Sequence, residues 1–269
     1  MPQTTKNLSS TSLDKEHKTI SISEYLNPGS GTALFKKQQT AQPELSLQQV
    51  EELSRIKKEA KRAYRRKDFV QALARFQDAL TIVPGDLEFS YYQGLCFFQL
   101  NQWDRAEDIF RRIMELDELR LLPDVSKLLA LTLLRRKKFS EAEKLLTEAT
   151  QVGKNDLQLL NMLGYCLERQ NKLFEAEKVL MRALERDPEN ANALNSLAYV
   201  YCRLEKNYTE ALSMVKKALS KEPKNPAYLD TLGMLYASRG NIAAARKTLK
   251  RALEYAPGNA EIMSHLTSL

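Results

Sequence analysis

Apolar residues along this chain recur in the three-to-four residue rhythm of amphipathic helices, and that rhythm repeats on a longer beat. Six alanines, Ala72, Ala106, Ala142, Ala176, Ala211 and Ala245, are spaced by 34, 36, 34, 35 and 34 residues. Four residues beyond each stands a larger apolar side chain: Phe76, Phe110, Leu146, Leu180, Val215 and Leu249. Seven beyond each is a small or apolar one: Ala79, Ile113, Ala149, Ala183, Ala218 and Ala252. Twelve residues before five of the alanines are Ala60, Gly94, Ala130, Gly164 and Gly233, and Ala198 stands thirteen before Ala211. Small residues at fixed places mark where two helices approach closely, and the large ones fill the gaps between them. Each unit therefore reads as a pair of helices, A then B. Pro84, Pro188, Pro223 and Pro257 close four of the six units, where a B helix should stop.

A beat of about 34 residues is the mark of a helix-turn-helix solenoid. Over Leu53 to Asn259 the pattern resembles the tetratricopeptide repeat (TPR) family. The resemblance implies an all-α, right-handed superhelical solenoid of TPR repeats, to which composition adds a disordered N-terminal tail. Six repeats are expected, at 46–86, 87–122, 123–156, 157–190, 191–225 and 226–259. Glu118 and Lys154 stand where the closing proline would be, and extra residues at Leu121-Leu122 and in the Leu204–Tyr208 turn predict places where the stack bends.

The first stretch, 1–45, is rich in Ser, Thr, Gln and Lys and poor in apolar periodicity, so it reads as a tail that cannot offset its ordering entropy. Ile20, Ile22, Tyr25, Leu26, Leu34 and Phe35 give its 20–37 portion the look of a short docking motif, or of a segment that folds back into the repeats. Ser46 and Gln49 form a capping box with Leu45 and Val50 placed as its hydrophobic staple, so the first helix should begin near Leu47. After the last repeat, Ile262, Met263, Leu266 and Leu269 make an apolar stripe that predicts a capping helix over 260–269.

The chemistry for catalysis is absent from the pattern. His17 lies in the tail and His265 in the terminal helix, each read as lacking a partner. Cys96, Cys166 and Cys202 have no metal-ligand or CxxC spacing and read as reduced core residues. The run Asn27-Pro28-Gly29-Ser30-Gly31-Thr32 follows no strand, so it reads as a flexible turn and not a phosphate loop. The N-terminus has no apolar signal region and no stretch reaches the roughly 18 apolar residues of a membrane span. The expectation is a cytoplasmic protein that is not an enzyme and needs no cofactor or metal.

What remains is a binding surface. If the spaced alanine is position 20 of a repeat, positions 4, 7, 8 and 11 of helix A pack, and 2, 5, 9, 12 and 13 lie opposite. In the TPR family that opposite side lines the concave groove, and the resemblance implies the same use here. The residues are Lys57, Lys61, Tyr64 and Arg65; Tyr91, Leu95 and Phe98; Lys127, Leu131, Leu134 and Arg135; Asn161, Tyr165 and Arg169; Asn195, Tyr199 and Arg203; and Asp230 and Met234. Aromatics on such a face suit anchoring a peptide, and arginines suit acidic partners. The carboxylate clamp of the family's chaperone-binding members is matched only by Lys57, because Lys61, Tyr92, Asp124 and Leu128 occupy its other places. Asn161 and Asn195 resemble the family's asparagine ladder, one position early.

Charge sharpens one region. Arg55, Lys57, Lys58, Lys61, Arg62, Arg65, Arg66 and Lys67 against Glu59 place +7 on one helix, equal to the net charge of the whole chain. Arg135-Arg136-Lys137-Lys138 is a second cluster. Cations in a helix's last turn complement its dipole, which covers the single Arg169, Arg203 and Arg239 but not eight cations together. Two function classes follow. The first is a scaffold or adaptor, chaperone-like in one form, whose groove binds a peptide or helix of another protein with acidic residues. The second is a binder of nucleic acid or an anionic surface through the basic helix 55–67. Oligomeric state and partner identity are not encoded in this pattern.

Overall fold

The structure, a computed structural model, describes residues 45–115, 123–152 and 156–269. The tail motif at 20–37, His17, the 27–32 turn, Glu118, Leu121-Leu122 and Lys154 lie outside these residues. All regular structure among the described residues is helical, and the helices alternate as A and B members of successive pairs: α1 (Leu47–Arg65), α2 (Phe69–Ile82), α3 (Leu87–Gln99), α4 (Trp103–Glu115), α5 (Pro123–Arg135), α6 (Phe139–Val152), α7 (Leu157–Arg169), α8 (Leu173–Arg186), α9 (Ala191–Arg203), α10 (Tyr208–Lys221), α11 (Pro226–Ser238), α12 (Ile242–Tyr255) and α13 (Ala260–Thr267). They fall into two compact units, α1–α6 and α7–α13. Within each unit a B helix packs on its own A helix and on the next one, as in α1·α2, α2·α3 and α3·α4, or α9·α10 and α10·α11.

The spaced small residues do what their size predicts. A Cβ on Gly94 would stand 2.8 Å from the Phe110 ring, one on Gly164 2.5 Å from Leu180, and one on Gly233 2.7 Å from Leu249. Helix A thus lies against the large residue four past the alanine of helix B. Ala72, Ala106, Ala142, Ala176, Ala211 and Ala245 are all fully buried.

Helix ends follow from local chemistry. Ser46 Oγ accepts from the Gln49 amide at 3.2 Å, and Gln49 Oε1 accepts from the Ser46 amide at 2.9 Å, completing the capping box. Val50 nevertheless stays 48% exposed, so the staple does not bury it. Asp86, Asp156, Asn190, Asn225 and Asn259 cap α3, α7, α9, α11 and α13 with side-chain oxygens. One left-handed residue closes each A-to-B turn: Lys67, Asn101, Lys137, Asn171, Glu205 and Gly240. In the fifth repeat, where the sequence predicts a bend, a second left-handed residue, Asn207, takes up the extra position and α10 still packs along α9.

The terminal helix α13 packs on α12 and α11. Its Ile262 is buried in a cluster with Leu229, Leu249, Ala252 and Ala256, and Leu266 and Leu269 pack at the edge.

Candidate functional site

In the C-terminal unit the caps Asp156, Asn190 and Asn225 set where α7, α9 and α11 begin, and so which residues share a face. Asn161, Tyr165 and Arg169 follow one another at four-residue intervals on α7, about 6 Å apart along the axis. Asn195, Tyr199 and Arg203 repeat the column on α9, which packs between α7 and α11.

The asparagines carry the unusual chemistry. Asn161 Nδ2 donates to Asn190 Oδ1 at 3.1 Å, and that same oxygen caps α9 by accepting from the Ala193 amide at 3.0 Å. Asn161 Oδ1 has no partner among the described residues, and on Asn195 neither Oδ1 nor Nδ2 has one. Asn195 is 1% exposed. Leaving a buried amide unsatisfied costs about 1–3 kcal/mol, so these groups lower the stability of the unit.

The surrounding side chains are engaged. Tyr165 and Tyr199 are buried. Arg203 donates to Glu168 at 3.4 Å and to Asn171 at 2.8 Å and lies over the Tyr199 ring at 5.9 Å, tying α9 to the end of α7. Arg169 donates to Glu261 of α13 at 3.0 Å. Burial opposes the Arg169 charge, but Tyr165, Glu261 and Glu168 outweigh it and raise the guanidinium above its ordinary value. Asp230, fully buried on α11, hydrogen-bonds His265 Nδ1 at 2.8 Å. This corrects the expectation that His265 lacks a partner: α13 folds back on α11 and brings the ring to the carboxylate. Met234 is half-buried on α11.

The N-terminal unit treats its candidates differently. Lys57 and Lys61 both donate to Glu88 of α3 at 2.6 Å. Burial pushes the Glu88 carboxyl up, and the two lysines overcome it to hold it below the usual range. Tyr64 is buried edge-on against Phe69 and Tyr92, its oxygen unpartnered among the described residues, and burial pushes its phenol far up. Tyr91, Leu95, Phe98, Leu131 and Leu134 are buried; burial likewise raises the Tyr91 phenol. Lys127 and Arg135 are buried too, with Lys127 4.0 Å from Asp124. Arg65 is exposed.

The second basic cluster is a structural network. Arg136 and Lys138 both reach Glu107, which is 3% exposed and also accepts from Arg111. Arg136 pairs with Asp104 as well. Sequence reasoning misses the acid, yet a signal exists: Glu107 follows Ala106 as Glu177 follows Ala176, and Lys138 and Lys206 answer them from the turn before the next B helix. Glu88, Glu168 and Glu261 are also missed, because their partners lie a repeat or more away.

Burial pushes the Cys96 thiol up to about 12, so it is no nucleophile at neutral pH. Among the described residues no group of three or more His, Cys, Asp or Glu is placed to hold a metal ion, and no helix is long and apolar enough to cross a membrane.

Sequence profiles described as tetratricopeptide repeat match residues 57–118, 133–200, 175–226 and 203–267. No curated protein matches the chain. Among solved structures, PilW, a type IV pilus biogenesis factor, superposes with a TM-score of 0.64 at 20% identity, over 80% of this chain and 98% of that one. MamA from Desulfovibrio magneticus RS-1 gives 0.58 at 20% identity, over 64% and 95%. In the APC/C hetero-tetramer Cut9–Hcn1 the TM-score is 0.62 at 16% identity, over 77% of this chain but 40% of the other. At these identities the likeness concerns the fold.

Proposed function

The chain belongs to the tetratricopeptide repeat family, whose members mediate protein–protein interactions, and we propose that within it this protein is a non-enzymatic cytoplasmic adaptor that grips an extended segment of a partner protein along α7 and α9. The observation that carries this reading is a pair of buried asparagines one repeat apart on neighbouring helices, with Asn161 Oδ1 and both amide atoms of Asn195 lacking a partner among the described residues. A primary amide presents a donor and an acceptor together, which matches the alternating N–H and C=O of a peptide backbone whatever its side chains. Tyr165 and Tyr199, one turn further along each helix, supply the apolar wall. An assembly-factor role is one form such an adaptor takes, in line with the description of PilW.

The cations of this face do not select an acidic segment. Arg169 and Arg203 already satisfy Glu261 and Glu168. The segment bound here is therefore recognised by backbone and apolar contacts.

The test is selection of peptides from a phage-displayed random library against the full chain, followed by titration with the Asn195→Ala variant. At least about tenfold weaker binding is expected, as for loss of hydrogen bonds that only the ligand supplies. Peptides that bind Asn195→Ala and the original chain alike overturn the reading.

A further inference from the structure

Within each unit, an A helix that follows a B helix turns the same three positions toward it. In α3 they are Phe89, Tyr92 and Cys96, and Phe89 and Tyr92 meet Phe76 of α2 with ring centroids 6.4 and 5.1 Å apart. Their equivalents are Val125, Leu128 and Thr132 in α5; Ala193, Ser196 and Val200 in α9; and Tyr228, Thr231 and Leu235 in α11. None of these is more than 6% exposed. In α1 the same positions hold Arg55, Lys58 and Arg62, all exposed.

Arg55 pairs with Glu52 at 3.8 Å and Glu51 lies on the same face, so the cationic part of the face of α1 that is shaped to receive a helix runs from Lys58 to its C-terminal end. Among the described residues Lys58, Arg62, Arg65 and Arg66 have no acidic partner, whereas Lys57 and Lys61 on the adjoining side share the carboxylate of Glu88. A solenoid end needs only polarity to stay soluble, and mixed charges would serve. Like charges at 58, 62 and 66 repel at four-residue spacing and destabilise α1 on its own. Cations in the last turn ease the helix dipole, but Lys58 lies well before that turn. Leu47, 77% exposed, lies on the same face three turns ahead of Lys58.

We propose that this face docks an acidic amphipathic helix of a partner protein, which takes the place a preceding B helix would hold. Its carboxylates, three or four residues apart, face Lys58, Arg62, Arg65 and Arg66, and an apolar residue at one end covers Leu47. The shape is one helix wide. It offers no exposed aromatic ring for stacking on nucleotide bases, since Tyr64 is buried, and its apolar part is too small for insertion into a lipid surface.

The experiment titrates the full chain with a synthetic helical peptide bearing glutamates at four-residue spacing and one leucine at its end, and with the same peptide carrying glutamine instead. The acidic peptide is expected to bind, the glutamine peptide at least about tenfold less tightly, with affinity falling as NaCl rises from about 0.05 to 0.5 M. The variant Lys58→Glu/Arg62→Glu/Arg65→Glu should lose at least about tenfold in affinity while staying folded, as read by its helical circular dichroism, because the three side chains are exposed. No binding of the acidic peptide, equal binding of the glutamine peptide, or full binding by the reversed variant overturns the proposal. Tighter binding of an oligouridylate or of phosphatidylserine vesicles than of the acidic peptide overturns it too. Peptides that grip Asn195 are unaffected by these substitutions, so the two readings fail separately.

Discussion

Glu261, in the last helix, lies 3.0 Å from Arg169 at the end of α7, ninety-two positions earlier in the chain. Between them in the fold stand α9 and α11, so the layer of A helices in this unit curls until its first and last members touch. The asparagine column lies within that layer. Asn195 itself is 1% exposed, and α13 is held to the unit by this pair, by His265 on Asp230 and by Ile262.

Glu261→Gln should weaken this closure while leaving the repeats intact. Since both side chains are partly exposed, the loss in global stability is expected to be about 1 kcal/mol or less. Amide hydrogen exchange over 260–267 should accelerate. Unchanged exchange in α13 would show that the pair does not hold the helix.

Gly164→Ala should destabilise the C-terminal unit although alanine favours helices. The new Cβ would stand 2.5 Å from Leu180, itself fully buried. The overpacking costs about 1–3 kcal/mol net, read as a lower midpoint in urea. A raised midpoint would mean that α7 and α8 are less closely apposed.

Glu107 makes stability depend on acid. Burial pushes its carboxyl up, but Lys138, Arg111 and Arg136 hold it below the usual carboxylate range. A depressed folded-state value gives stability that is full above the unfolded value of about 4.3 and is lost as pH falls through the folded value. Glu107→Gln should therefore be less stable near neutrality, by about 1–3 kcal/mol, and show a shallower loss of stability between about pH 5 and 3. An unchanged slope would remove Glu107 from the acid response.

Lys137 sits at φ 59 in the turn between α5 and α6, where a side chain is strained. Lys137→Gly should stabilise the chain by about 0.5–1 kcal/mol in equilibrium denaturation, as Gly240 already occupies the equivalent turn. A loss of stability would show that the lysine stem contributes more packing than its backbone costs.

The frame is legible in the amino-acid pattern alone. The alanine beat locates the helix pairs, Gly94 and Gly164 locate their closest approach, and Ser46 with Gln49 locates the first cap, because each depends on neighbours a few residues away or on a repeated spacing. Pairings between repeats are harder to read. Lys57 with Glu88 joins neighbouring repeats, and Arg169 with Glu261 joins helices far apart in the chain, so no local pattern announces either. Periodicity places Tyr91, Tyr165 and Tyr199 each on the corresponding face of its own helix, but it does not say how deeply that face is covered. Lys67, Lys137 and Glu205 adopt left-handed turns with nothing in their side chains to mark it.

Backbone capture by Asn195 is tested most directly by combining a selected peptide, N-methylated at single amides, with Asn195→Ala. One methylation should weaken binding to the original chain at least about tenfold and have no further effect on the variant, because both changes remove the same hydrogen bond. Losses that simply add at every position would contradict capture of the backbone by this amide.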